Sequence, residues 1–312
     1  MRMLIAGAGS IGGYYGGRLA KAGRDVAFLV RPKRVDKLRT EGLQIISPNG
    51  DVKIIPQLVT AGSLNGIYDA ILLAVKAYSL EAALADIAPA VGPDTMILPV
   101  LNGMKHVDTI SARFGKQALV GCACKIAVDL DESGHVLQLG PQEDMSYGEM
   151  DGSDSERIKA LNVFMQNAGF KARLSAVIAR EMWEKWILLA ALGGINSLMR
   201  GTIGEVEAAP GGATFATSYL EEIIAVVGTV GISPSSEFVK FAHSVLTAKG
   251  SSMTSSMYRD LQKGVPIEAD EIIGDLLARG SKAGLETPRI AIVYANLCVY
   301  QNRLKQLRSW RA

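Results

Sequence analysis

A short apolar segment that runs straight into a glycine-rich turn constrains the fold of this chain more than any other feature. Residues 3–6 (MLIA) are apolar, and residues 7–12 (GAGSIG) match the pattern GxGxxG and lead into a helical segment. In such a turn the first glycine allows a tight bend, the second lets a pyrophosphate approach the backbone, and the third lets the helix pack on the strand. Free N–H groups at the start of the helix favour phosphate. The segment predicts a dinucleotide site formed by Gly7, Ala8, Gly9, Ser10, Ile11 and Gly12.

The residue after the second predicted strand indicates which dinucleotide binds. Residues 25–30 (DVAFLV) are the strand, and proteins that bind NAD usually place Asp or Glu at its end to contact the ribose hydroxyls. Here Arg31 occupies that place, followed by Lys33 and Arg34. Because a cation suits a 2′-phosphate, the sequence predicts NADP(H) in preference to NAD(H). Lys33 and Arg34 could instead be no more than part of a basic surface loop.

Alternating strand and helix signals continue through the first half and predict a doubly wound sheet. Residues 52–59 (VKIIPQLV), 70–77 (AILLAVKA) and 95–103 (TMILPVLNG) are predicted strands. Lys76 and Asn102 come just after strand ends, where ligands bind in open α/β sheets. Either residue could instead be an ordinary loop residue.

Short alternating runs between residues 118 and 150 look antiparallel and are predicted to extend this sheet. After residue 172 the strand signals fade and helical patterns dominate. The sequence therefore predicts an α/β fold, with an N-terminal Rossmann-type doubly wound sheet in residues 1–172 followed by an all-helical C-terminal domain in residues 173–312. The predicted helices are 178–199, 213–230, 235–249, 268–283 and 288–309.

One lysine stands at the edge of a long apolar helix. Lys185 precedes residues 186–195, which carry no charge, are apolar on every side of a helix and are predicted to be buried. A structural explanation exists, since a lysine stem can lie along apolar surface and Glu181 stands four residues earlier. Residues 266–271 (PIEADE) place three acids in the first turn of a later helix, where the helix dipole alone would favour them. The residues alone leave both explanations open.

Charge and composition argue against several functions. The chain has 33 basic and 31 acidic residues, a net charge of +2 and no basic tract, so neither nucleic acid nor a membrane is an expected partner. Three cysteines and three histidines without metal-ligand spacing predict no metal site. The first strand begins too early for a signal peptide to precede it, which predicts a cytoplasmic protein.

Together these segments resemble the ketopantoate reductase (2-dehydropantoate 2-reductase) family over nearly the whole chain. The shared motifs are GAGSIG, the arginine after the second strand, VKAY, NGM, EMWEKW, SSMYRD and PIEADEIIG. The resemblance implies NADPH-dependent reduction of a small 2-keto acid to a 2-hydroxy acid. It implies 2-dehydropantoate as the best single substrate, within pantothenate and coenzyme A biosynthesis. Lys185 and Glu268 are the implied catalytic residues.

The resemblance also implies which residues bind cofactor and substrate, and it leaves a homodimer open. The implied cofactor contacts are the glycine turn, Arg31, Lys76, Asn102, Ala127 and Glu268. The implied substrate contacts are Asn102, Lys185, Asn196, Ser256 and Asp260.

Four positions depart from the family's usual pattern of asparagines. Leu189, Gly193, Ile203 and Ile273 stand where family members commonly carry an amide. A site with fewer amides binds a polar hydroxy-keto acid less well, because substrate hydroxyls are left unpaired. Two alternatives therefore stay open: a reductase of a less polar keto acid on the same scaffold, and a non-catalytic NADP(H)-sensing protein.

Overall fold

The computed structural model describes the backbone of residues 1–309, with side chains up to residue 307. Packing divides the chain into two compact units. The first contains residues 1–101 and 106–179, and the second contains residues 102–105 and those from 180 onward. The first unit runs past the expected division at 172/173 because the strand Lys171–Leu174 pairs within it. As functional domains, 1–172 and 173–312 stay a prediction.

Strands lie in the first unit, and the second unit is built from helices. The strands are β1 (Arg2–Ala6), β2 (Asp25–Leu29), β3 (Leu43–Ile46), β4 (Val52–Ile54), β5 (Gln57–Val59), β6 (Ala70–Leu73), β7 (Met96–Pro99), β8 (Val120–Leu130), β9 (Val136–Glu149) and β10 (Lys171–Leu174). The helices are α1 (Ser10–Lys21), α2 (Pro32–Glu41), α3 (Leu80–Ile87), α4 (Lys105–Phe114), α5 (Glu156–Met165), α6 (Ile178–Met199), α7 (Ile203–Ala208), α8 (Gly212–Val230), α9 (Ser236–Leu246), α10 (Ser256–Gln262), α11 (Asp275–Lys282) and α12 (Pro288–Ser309). A π-helical turn, Asp270–Gly274, precedes α11.

The first sheet is parallel and has the strand order β5-β2-β1-β6-β7. The chain moves outward from β1 through β2 to β5 and then returns to β6 and β7 on the other side, so the order reverses between β1 and β6. Met3 and Ile5 of β1 pack into one core cluster, and Leu4 and Ala6 pack into another. Both faces of the sheet are therefore covered, and the predicted Rossmann-type doubly wound sheet is confirmed.

Helix α1 packs closely between two sheets because glycines line two of its faces. A Cβ on Gly16 would lie 2.7 Å from the ring of Phe28 in β2. A Cβ on Gly17 would lie 2.8 Å from the side chain of Ile45 in β3, which belongs to the second sheet. Residues without a side chain let the helix backbone approach both sheets. The helix that follows the glycine turn is thereby fixed in place.

Leu119 pairs with Ile97 of β7 by an isolated parallel bridge, but the rest of residues 118–150 belongs to a second sheet, so the prediction that this segment extends the parallel sheet was wrong for most of its length. Strands β8 and β9 are long antiparallel partners in a second sheet of order β10-β9-β3-β4, with β8 paired to β9. The predicted strand at 52–59 is also two strands, β4 in the second sheet and β5 in the first. Pro56 lies between them, and proline has no N–H to donate to a strand ladder.

The second unit is helical, as predicted, and adds the short helices α7 and α10. Helix α8 is long and apolar enough, by length and composition, to cross a membrane. It packs against α7, α9, α11 and α12, and Tyr219, Ile223 and Val226 on one of its faces are fully buried. This packing is typical of the central helix of a folded helical domain.

Candidate active site

The glycine turn between β1 and α1 is sharply bent and closely packed, with one open position. Gly7 has a φ of +104°, and a Cβ there would lie 2.6 Å from the carbonyl oxygen of Ala74. A Cβ on Gly12 would overlap the carbonyl oxygen of Gly7. No heavy atom lies within 4 Å of where a Cβ on Gly9 would be, so the backbone is open there. The bend and the helix packing confirm the expected roles of Gly7 and Gly12, and the open face at Gly9 fits a pyrophosphate.

The basic segment after β2 contains one exposed and one anchored arginine. Arg31 is exposed at the start of α2. Arg34 is half-buried and donates to the carbonyl oxygen of Gly134 at 3.3 Å, and burial lowers its pKa. Arg34 is therefore held against the β8–β9 turn, while Arg31 is exposed. This contrast supports Arg31 rather than Arg34 as the residue that meets a 2′-phosphate.

Lys76 and Ala127 are the other predicted cofactor residues of the first unit. Lys76 is exposed in the turn that follows β6, beyond Ala74, whose N–H bonds the carbonyl oxygen of Ala6 at 2.9 Å. Lys76 thus follows the strand next to the glycine turn, at the carboxyl edge of the parallel sheet. Ala127 is exposed at the irregularity in β8 where the pairing register with β9 shifts. Their contacts with a cofactor stay a prediction.

In the second unit the structure brings Asn102 and Glu268 together, although they stand 166 positions apart. The side-chain amide of Asn102 donates to a carboxylate oxygen of Glu268 at 3.2 Å, and Glu268 is only 8% exposed. Gly103 has a φ of +80°, and a Cβ there would lie 2.6 Å from the carbonyl oxygen of Glu271. Because only glycine allows this approach, the Asn102–Gly103 turn lies directly on the segment that carries Glu268.

Lys185 is half-buried on α6, between two side chains that make hydrogen bonds to other parts of the second unit. The carboxylate of Glu184 accepts from the N–H and the hydroxyl of Ser235, both at 2.8 Å, and so holds the start of α9. The indole N–H of Trp186 donates to the carbonyl oxygen of Ile272 at 2.9 Å. The helix that carries Lys185 is therefore fixed on both sides of the lysine.

Asn196 is fully buried, and backbone groups occupy its amide. Its nitrogen donates to the carbonyl oxygen of Gly201 at 2.8 Å, and its oxygen accepts from the N–H of Ser255 at 2.9 Å. This geometry favours a positioning role for Asn196 over the substrate contact expected from the sequence. Ser255 caps α10, and Ser256 and Asp260 lie one helical turn apart on that helix, exposed and half-buried respectively.

The four departures from the family pattern differ in their surroundings. Ile203 and Ile273 are fully buried core residues, whereas Leu189 is half-buried on α6. At Gly193 a Cβ would lie 2.7 Å from the terminal methyl of Met257, so this methionine fills the space above the glycine. Sequence reasoning missed Gly103, Trp186 and Met257. Each belongs to a motif that was noticed, but nothing in the motifs indicates which segment each residue would contact.

Comparison with known proteins places the chain in a family. The family profile described as "Ketopantoate reductase PanE/ApbA" matches residues 3–152, and the one described as "Ketopantoate reductase PanE/ApbA C terminal" matches residues 177–301. A protein of Bacillus subtilis (strain 168) named "Uncharacterized oxidoreductase YkpB" is 34% identical over 96% of this chain and 99% of its own length. A "2-dehydropantoate 2-reductase" of Mesorhizobium japonicum is 29% identical over 95% of this chain and 96% of its own length.

A solved structure agrees with this assignment. The 2-dehydropantoate 2-reductase of Geobacter metallireducens GS-15 superposes with a TM-score of 0.84 at 27% identity, over 95% of this chain and 99% of that chain. The resemblance read from the motifs is thereby confirmed. The chain belongs to the ketopantoate reductase family and is an NADP-dependent oxidoreductase that acts on CH–OH groups.

Proposed function

We propose that the protein reduces a 2-keto acid to the 2-hydroxy acid with NADPH, and that 2-dehydropantoate, reduced to pantoate, is the best single candidate. The observation that carries the proposal is the buried Glu268 carboxylate bonded to Asn102, in the same unit as the helix that carries Lys185. A role in pantothenate and coenzyme A biosynthesis and a cytoplasmic location belong to the same proposal. So does the division of labour, with residues 1–172 holding the cofactor and residues 173–312 the substrate.

Lys185 would act as the general acid of the reaction. When bound, the reduced nicotinamide supplies a hydride to the carbonyl carbon of the substrate. Negative charge then develops on the carbonyl oxygen, and the ammonium of Lys185 stabilises that charge and donates the proton that completes the hydroxyl group. The Asn102–Glu268 hydrogen bond orients both side chains, so that the second amide N–H and the amide oxygen of Asn102 are presented in a fixed direction to a ligand.

The cofactor would be held largely by the first unit. The open backbone at Gly9 and the N–H groups at the start of α1 suit the pyrophosphate, and exposed Arg31 suits the 2′-phosphate of NADPH. Lys76, Ala127, Asn102 and Glu268 would contribute further contacts. The substrate carboxylate would contact Ser256, with Asp260 one turn away on the same helix.

One observation favours a second candidate, the reduction of a less polar keto acid. Leu189 and Gly193 follow Lys185 at intervals of four along α6, so the three residues share one face of that helix. Along this face Leu189 is apolar, and the space above Gly193 is filled by the buried methyl of Met257. A substrate side chain that lay along this face would meet methyl groups rather than amides, which supports an apolar side chain.

Nicotinamide absorbance tests the proposal directly. We expect the purified protein to oxidise NADPH faster than NADH in the presence of 2-dehydropantoate. Lys185→Ala should lower kcat by about 10²- to 10⁴-fold, while Lys240→Ala, a change of an exposed lysine on α9, should leave it unaltered. Arg31→Ala should narrow the preference for NADPH about tenfold, the loss of one charge-assisted contact.

The outcomes separate the candidates. Turnover of 2-dehydropantoate alone would remove the less polar alternative, and faster turnover of keto acids with apolar side chains would replace 2-dehydropantoate by that class. Binding of NADPH without turnover of any keto acid would contradict the catalytic proposal and support the sensing role.

A further inference from the structure

We propose that Trp186 is a positioning residue that sets the Asn102–Glu268 pair in register with Lys185, and that it acts through its indole N–H. The inference rests on the proposed function, in which these three residues form the reactive part of the second unit. Trp186 follows Lys185 directly in α6, so a contact that fixes its ring also holds the stretch of helix backbone from which the lysine projects.

The indole of Trp186 lies against both segments that carry the pair. Its N–H donates to the carbonyl oxygen of Ile272 at 2.9 Å, four residues after Glu268. The same nitrogen is 3.9 Å from where a Cβ on Gly103 would be, next to Asn102. The side chain of Trp186 therefore lies next to both segments of the pair: the turn at Gly103, which follows Asn102, and the turn at Ile272, which follows Glu268.

The backbone segment to which Trp186 donates its hydrogen bond has an unusual conformation. Asp270–Gly274 form a π-helical turn, a geometry that is rare and is often found at functional sites. Two successive carbonyl groups of this turn are contacted from outside, that of Glu271 by Gly103 and that of Ile272 by Trp186. The wide turn is closed by the N–H of Asp275 on the carbonyl oxygen of Asp270, and the indole hydrogen bond holds the carbonyl group of Ile272 inside this turn.

The ring of Trp186 is itself fixed. It is 1% exposed, lies 5.4 Å from the ring of Trp183 and has the guanidinium of Arg279 at 5.7 Å from its centroid. Arg279 donates to the carboxylate of Asp275 at 2.9 Å, in the first turn of α11 directly after the π-helical turn. The indole N–H of Trp186 therefore has little freedom to move with the carbonyl group of Ile272. As a result, the hydrogen bond restrains the position of the π-helical turn relative to α6.

Trp183 provides a matched control. It lies three residues earlier on the same helix, is also buried and contacts the same Arg279, whose guanidinium is 5.9 Å from its ring. Its ring covers Gly231, and among the described residues its indole N–H makes no hydrogen bond. Trp183→Phe therefore removes aromatic bulk from the same cluster without removing a bond to the π-helical turn.

The experiment compares the parent, Trp186→Phe, Trp183→Phe and a protein in which Trp186 is replaced by β-(3-benzothienyl)alanine, which keeps the shape but has no N–H. We expect kcat to fall about 10- to 100-fold in both Trp186 variants, the size typical of a displaced reactive group, and to change less than about twofold in Trp183→Phe. Full activity of the benzothienyl variant would overturn the proposal, because it would show that bulk alone is needed.

A double-mutant cycle separates positioning from a general structural effect. If Trp186 acts through Glu268, Trp186→Phe should lower kcat much less in a Glu268→Gln background than in the parent. Independent, multiplicative losses would contradict the proposal.

Hydrogen exchange provides a readout that needs no substrate. The amides of residues 268–274 should exchange about tenfold faster in both Trp186 variants, as expected when a buried carbonyl loses its donor. If the parent protein reduced no keto acid, the proposed function would fail, but hydrogen exchange would still test whether the Trp186–Ile272 hydrogen bond holds residues 268–274. Unchanged exchange rates of these amides in the Trp186 variants would overturn the proposal that Trp186 positions this segment.

Discussion

The two units build their predicted binding residues in different ways. In the first unit the dinucleotide turn is a run of adjacent residues, 7–12, and its geometry depends on side chains that are missing, since Gly7 and Gly12 leave no room for a Cβ. In the second unit Asn102, Lys185 and Glu268 come from three separate segments, and buried side-chain hydrogen bonds hold these segments together. A change in the first unit should therefore act by filling space, and a change in the second by removing a bond.

The largest effect should come from filling the space at the third glycine of the turn. Gly12→Val places a side chain onto the carbonyl oxygen of Gly7 and the methyl of Ala74. Neither group can move away unless the backbone that carries it also moves. We expect a loss of about 3 kcal/mol or more in the free energy of unfolding, measured by urea titration. Gly9→Ala is the matched change, because its Cβ would meet no heavy atom within 4 Å.

Gly9→Ala should leave the free energy of unfolding within about 0.5 kcal/mol of the parent while weakening NADPH binding. Normal NADPH affinity in this variant would mean that the pyrophosphate does not approach the open face at Gly9. Together the two variants distinguish a glycine needed for packing from a glycine needed for the ligand.

In the second unit the matching change removes the buried amide of Asn196. Asn196→Leu leaves the N–H of Ser255 and the carbonyl oxygen of Gly201 without their partner. We expect a loss of about 3 kcal/mol in the free energy of unfolding, with a raised KM for the keto acid because Ser256 follows Ser255 directly.

Ser197 supplies the control, since it is the next residue, is also fully buried, and its hydroxyl makes no hydrogen bond within the described part of the chain. Ser197→Ala should be close to neutral in both measurements. A loss in Ser197→Ala equal to that in Asn196→Leu would mean that tight packing, rather than the amide, holds the segment before α10.

The same difference explains what the sequence could predict. The glycine turn and the parallel sheet depend on neighbours in the chain, so local patterns identify them. The role of Asn196 depends on Ser255, 59 positions away, and an amide on an apolar helix looks the same whether it binds backbone or substrate. The split at Pro56 was visible in the sequence, but the apolar residues on both sides favoured one strand over two strands in different sheets.

A smaller, pH-dependent effect should come from a carboxyl of the first unit. Glu149 accepts two hydrogen bonds from Arg157 at 2.7 Å and one from Ser155 at 2.6 Å, and the Arg157 bonds above all hold its pKa below the ordinary value. Its contribution to stability is therefore present above the unfolded pKa and is lost as pH falls through the folded pKa. Arg157→Ala should cost about 2 kcal/mol at neutral pH, and urea titration below about pH 4 should find a smaller cost. An equal cost at both pH values would contradict this.

The smallest effect should come from a carboxyl of the second unit, with the opposite sign. Burial raises the pKa of Glu271, and the charges of Asp270 and Glu268 raise it further. Because the folded pKa lies above the unfolded one, the stability linked to this group is complete below the unfolded pKa and is lost as pH rises through the folded pKa. Glu271→Gln, which cannot ionise, should therefore raise Tm at neutral pH, and the gain should disappear below about pH 4.

Differential scanning calorimetry of the parent, Arg157→Ala and Glu271→Gln between acid and neutral pH measures the Tm of all three proteins, so the two pH dependences can be compared directly. Since Gly103 contacts the backbone oxygen of Glu271 and not its side chain, the substitution should leave the Asn102–Glu268 pair intact. A lower Tm for Glu271→Gln at neutral pH would mean that the ionised carboxylate is stabilised in the folded protein, for instance by Lys105, whose charge opposes the shift. The ionised carboxylates of Glu149 and Glu271 would then both stabilise the folded state at neutral pH, and lowering the pH would weaken both contributions.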